Sequence, residues 1–184
     1  MVSASSPYNP TRYCRAARLL HWLTVLLVFT TIPAGLVMVQ EGLPRALQDG
    51  LFLYHKNIGP IILLLVVLRL AVRLISPPPP LPESLPALQA MIARTVHWLL
   101  YLLLVALVIS GTLRVQAGGF PMEVWDPLFG GMFGKDEALA KSASGLHDLL
   151  KSVLIFVIAA HVGAAALHGL VKRDGVFSRM WPPT

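Results

Sequence analysis

Cysteine is nearly missing from this chain. Cys14 stands alone in 184 residues, which excludes an intramolecular disulfide and a metal cluster held by thiolates. Charge is scarce as well: 13% of the residues are Asp, Glu, Lys or Arg while 55% are hydrophobic, about half the charged share of an ordinary soluble domain. With a mean hydropathy of +0.68, the chain reads as an integral membrane protein.

In place of charge there is apolar length. Uncharged runs cover 19–39, 95–113 and 152–171, each near the roughly 20 residues that carry a helix across the hydrocarbon core. A fourth span is interrupted. Its uncharged centre is only 57–68, but Lys56 at one end and Arg69 and Arg73 at the other can extend their charged heads to the interfaces. The expected architecture is therefore all-α, one membrane domain over 1–184, with helices at about 17–39, 51–75, 91–113 and 145–171. The first run is too long for the apolar region of a cleavable signal peptide and continues past Pro33, so it is expected to stay in the protein.

The remaining charge is distributed unevenly. The segment before the first span, the middle connection and the segment after the fourth span hold nine Lys or Arg against Glu83 and Asp174; the opposite side holds six against seven acidic residues. By the positive-inside rule both termini are expected in the cytoplasm. The net charge of +6 then reflects topology, and no nucleic-acid partner is expected. The connection 76–86, with Pro77, Pro78, Pro79, Pro80, Pro82 and Pro86, reads as a stiff cytoplasmic strap. The longer connection 114–144 combines Gly118, Gly119, Gly130, Gly131 and Gly134 with aromatic residues, as expected of a periplasmic loop folded over the outer mouth of the bundle.

Histidine is the informative residue. Of six, five (His21, His55, His97, His161 and His168) lie in or at the ends of the apolar spans, and His147 just precedes the last. Ionisable side chains at membrane depth are costly and mark functional sites. Depth along each helix places His21, His97 and His161 towards the cytoplasmic side and His55 and His147 towards the outside. His147 and His161 are 14 residues apart, nearly four turns, which returns them to one face about 21 Å apart. Gly35 and Gly111 follow His21 and His97 by the same interval, and Gly59 follows His55 by one turn, so small residues recur where a planar cofactor needs clearance. Zinc and iron–sulfur centres lack their cysteines, whereas haem iron between two neutral imidazoles suits an apolar interior. No Cys-x-x-Cys-His run is present, so the haems would be b type and non-covalent. Arg18 and Arg69 are candidates for pairing with haem propionates.

Five segments together resemble the bacterial cytochrome b561 family: Arg18-Leu19-Leu20-His21-Trp22; His55 followed by Gly59, Arg69 and Arg73; Val96-His97-Trp98 with Tyr101; Leu146-His147-Asp148; and His161 leading through an alanine-rich turn to His168. The resemblance extends from about Tyr13 onward, and is strongest to members that oxidise superoxide. It implies a four-transmembrane-helix bundle enclosing two b haems in a bacterial inner membrane, moving electrons from periplasmic superoxide to ubiquinone. It also implies His21 and His161 as ligands of the inner haem and His55 and His147 as ligands of the outer one. His168 matches a histidine at the family's quinone site, and His97 is a second quinone-site candidate. Lys56 and Lys151 stand beside the outer ligands, where they can attract superoxide. The family also contains cytochrome subunits fed by a periplasmic dehydrogenase or hydrogenase, the alternative reading, in which the outer loop docks a redox protein.

Overall fold

The computed structural model describes residues 12–81 and 85–183. Pro82 and Glu83 of the proline-rich strap lie outside them. Among the described residues the secondary structure is entirely helical, and four helices are long and apolar enough to cross a membrane: α1 (Arg15–Val37), α2 (Arg45–Ile75), α3 (Ala87–Ala117) and α5 (Glu137–Ala166), the last continuing as a π-helix over Leu167–Lys172. A short α4 (Asp126–Phe129) follows a 3-10 turn at Glu123–Trp125.

Three of these helices begin well before their apolar runs. α2 and α3 start directly after Pro44 and Pro86, which stand at the N-cap in an extended conformation, with ψ 132 and 142, outside the helical turns. α5 starts at Asp136, whose side chain accepts the Leu139 N–H at 2.9 Å, satisfying one of the orphan donors at a helix start. The added turns carry hydrated charge, such as the Arg45–Asp49 pair one turn apart, because a helix does not stop where the hydrocarbon does. The connection after α3 is correspondingly short and partly helical.

α1 packs on α2, α3 on α5, and the two hairpins meet through α2 and α3; α5 does not pack closely on α1 or α2. At mid-depth Val28, Ile62 and Val66 form one buried cluster and Leu103, Leu154 and Val157 another, joined through Ile32, Leu104 and Ile158. Outward-facing side chains are large and apolar, Phe156 being 74% exposed and Leu102 65%, which is the surface that lipid requires.

One end of the bundle, the terminal end, carries the start of α1, the α2–α3 connection and the segment after α5. That segment folds back: Arg18 Nη1 donates to Pro182 O at 2.8 Å, Trp22 Nε1 to Met180 O at 2.9 Å, and the Tyr13 N–H to Arg179 O. Arg179 in turn donates to Pro80 O at 2.6 Å. The opposite end, the loop end, carries residues 118–136, fastened to α2 at two consecutive residues, Lys56 and Asn57. Asn57 donates to Glu123 Oε2, accepts the Val124 N–H at its side-chain oxygen, and accepts Trp125 Nε1–H at its backbone carbonyl.

Candidate functional site

Two groups of histidines meet across the gap that α5 leaves towards α1 and α2. At the loop end the rings of His55 and His147 are 6.2 Å apart between centroids, at 76°. Two imidazoles on one metal ion, with metal–nitrogen bonds of about 2 Å, space their ring centroids by about that distance. His55 Nδ1 donates to Thr31 O at 3.1 Å. His147 Nδ1 lies 3.1 Å from Leu107 O and 3.2 Å from Ser110 Oγ. With Nδ1–H held by a backbone carbonyl, each ring presents Nε2 as the free base, the tautomer a metal needs. Glycine makes room for both rings: a Cβ at Gly35 would stand 2.6 Å from His55 Cε1, and one at Gly111 would stand 3.2 Å from His147 Cε1.

At the terminal end three rings gather. His161 faces His21 at 6.4 Å and 78°, and His97 at 5.5 Å and 73°. The first spacing resembles that of the loop-end pair; the second is shorter. Arg69 Nη2 donates to His21 Nδ1 at 3.1 Å, and its guanidinium also lies over the Tyr101 ring. Arg18 is buried and turned to the Pro182 carbonyl, with its Nε unpartnered among the described residues. His168 stands apart from these rings, its Nδ1 2.5 Å from Asp174 Oδ2.

Both lysines beside the loop-end pair are engaged. Lys56 pairs with Glu123 and donates to Pro121 O at 3.1 Å, and Lys151 pairs with Asp148 at 2.9 Å.

Residues 12–183 match the family described as prokaryotic cytochrome b561. The chain belongs to the prokaryotic cytochrome b561 family. It is 33% identical to cytochrome b561 homolog 2 of Escherichia coli (strain K12), covering 94% of this chain and 92% of that protein. It is 31% identical to the probable superoxide oxidase CybB of Yersinia pestis, over 89% of this chain and 92% of the relative. Cytochrome b561 homolog 1 of the same E. coli strain is 25% identical over 93% and 97%. The protein is thus a multi-pass bacterial membrane protein that transfers electrons, and a cytochrome b561 implies b-type haem.

The residues present fit that group. The loop-end pair has bis-imidazole spacing, tautomers fixed at Nδ1, and ring clearance at two glycines. One cation not singled out from the sequence, Arg114, also stands towards the loop end. It is half-buried near the end of α3, three residues past the Gly111 that borders the His147 ring, and among the described residues its side chain makes no ion pair. In the sequence it counted only towards the charge of the outer side; its spacing of three from Gly111 was the available signal.

Proposed function

We propose that this cytochrome b561 oxidises superoxide at its loop end and reduces ubiquinone at its terminal end, with two haems held by His55 with His147 and by His21 with His161. The observation that carries the reading is the presence, in one bundle, of two facing imidazole pairs that share helix α5. The kinship with a probable superoxide oxidase supports superoxide as donor. In this reading the loop end faces the periplasm, in accord with the excess of basic residues at the terminal end, and both termini are cytoplasmic.

A b haem bound at each pair supplies reversible one-electron exchange. The chain's own residues orient and tune. Thr31 and Leu107 carbonyls fix the His55 and His147 rings, Gly35 and Gly111 admit them, and Arg114 supplies a cation that favours a haem carboxylate or an approaching small anion. Two superoxide ions each lose one electron and leave as oxygen, and ubiquinone takes the two electrons with two protons. His97, beside His161, and His168 line the quinone end.

A second reading rests on the loop, where Val124 and Leu128 are each 70% exposed and Met132 62%. An apolar patch of that kind suits a docking dehydrogenase or hydrogenase. One experiment separates the two. Purified, detergent-solubilised, haem-loaded protein is exposed to an enzymatic flux of superoxide with and without ubiquinone. Dismutase-sensitive haem reduction that drains into quinone is the expected result; haems that stay oxidised overturn the superoxide assignment.

A further inference from the structure

After Ala166 the last helix widens into a π-helix over Leu167–Lys172, a rare form concentrated at functional positions. His168 lies within it. The chain then reverses sharply through two left-handed residues, Arg173 (φ 50) and Gly175 (φ 82). Between them sits Asp174, and both of its oxygens are occupied: Oδ2 lies 2.5 Å from His168 Nδ1, and Oδ1 accepts the Val176 N–H at 3.2 Å. Only 14% of the His168 side chain and 30% of the Asp174 side chain are exposed. Phe177 packs against Gly169, where a Cβ would meet its ring at 3.1 Å, and the segment that follows is fastened to α1 by Arg18 and Trp22. The turn therefore holds a carboxylate against one nitrogen of a histidine. Among the described residues nothing bonds the other nitrogen, Nε2.

We propose that Asp174 is a positioning residue for His168, fixing its Nδ1–H so that Nε2 alone delivers protons to quinone at the terminal end. This rests on the reading of that end as the quinone site. The chemistry balances. The imidazolium gives its Nε2 proton to an oxygen of the reduced quinone, the neutral ring keeps Nδ1–H on Asp174, and Nε2 takes a new proton from water; two such deliveries accompany the two electrons from superoxide. The carboxylate opposite Nδ1 selects the tautomer, as carboxylates do for histidine bases and metal ligands. Partial burial opposes ionisation of Asp174, but the His168 and Val176 N–H groups outweigh it and hold its carboxyl below the ordinary range, so it is an anion at neutral pH.

The test uses full-length, haem-loaded protein reduced with dithionite and mixed with ubiquinone-1. The haem spectrum reports reoxidation without any dependence on superoxide. Asp174→Asn keeps an acceptor for the Val176 N–H and removes the charge; Asp174→Glu restores the charge; His168→Gln removes the relay. The expected result is a limiting rate about ten- to a hundredfold lower in D174N, unchanged half-saturation, an unchanged haem spectrum, and recovery of most of the rate in D174E. Equal losses in D174N and D174E, or a change confined to half-saturation, overturn the proposal by making Asp174 structural or a binding group. A wild-type rate in D174N with a slow H168Q overturns the pairing while the quinone reading stands. Wild-type rates in both remove His168 from the quinone reading altogether.

Discussion

Gly35 is held to its identity by a ring. Because an added Cβ would meet His55 Cε1 at 2.6 Å, and real Cβ atoms do not approach so closely, Gly35→Ala is expected to displace His55 and cost the loop-end haem. In the proposed two-haem reading, haem quantified per chain should fall from two to one. Gly111→Ala, with 3.2 Å available, is expected to weaken retention without abolishing it. Arg114 yields a different expectation: R114Q should lower the superoxide rate several-fold and flatten its dependence on ionic strength, since the cation's reach is limited by screening at about 10 Å in 0.1 M salt. K56Q, already paired with Glu123, should change the salt dependence less, and the reverse order would return the attracting role to Lys56. At this scale the histidines were legible, because depth and the 14-residue interval sort them without coordinates. The glycine interval was legible too, but its partner was not: Gly35 and Gly111 border the rings of His55 and His147, which come from other helices. Asp174 was hidden for a related reason, since only a reversal of the backbone brings it to a histidine six residues away.

Elements were legible as membrane spans and less so as helices. Hydropathy marks where lipid begins, whereas hydrogen-bonded turns continue into the interface; hence Arg45–Asp49 belongs to α2 and Glu137 opens α5. The π-helix leaves no trace in composition. The loop 118–136 is anchored through Asn57, directly after Lys56 and two residues past His55, and Glu123 is held there at a left-handed φ of 47°, a conformation that costs about 1–3 kcal/mol outside glycine. Asn57→Ala removes the side-chain half of this anchor, worth about 1–2 kcal/mol for two hydrogen bonds, one to a carboxylate. Limited proteolysis within the loop should accelerate about five- to thirtyfold while haem content is kept. An unchanged cleavage rate would show that Trp125 and Lys56 hold the loop without it.

Across the whole molecule, an apolar layer built on Val28, Val66, Leu103 and Leu154 lies between two polar ends, each with its own fastening. The two histidine levels should therefore behave as separate sites. His147→Ala is expected to remove one haem and leave the midpoint potential of the other within a few tens of millivolts, about 1.4 kcal/mol per 59 mV of a one-electron couple; a redox titration that loses both waves would show the levels to be one unit. The membrane class follows from composition and the four spans from the lengths of the uncharged runs, while which helix packs on which needed coordinates, because apolar faces turned to lipid and to neighbours look alike in sequence.

The sharing of α5 by both pairs has a consequence for biosynthesis. His21 and His55 lie on the first two helices, and each waits for a ring on the last one. The Arg18–Pro182 clasp joins residues 164 positions apart. A chain emerging N-terminus first therefore carries two half-sites until α5 is made, completes the loop-end pair when residue 147 arrives, and completes the other only 14 residues later. If each pair holds a haem as proposed, neither haem would be gripped from both sides before α5 has entered the membrane, so haem supply would act after α1, α2 and α3 are in place.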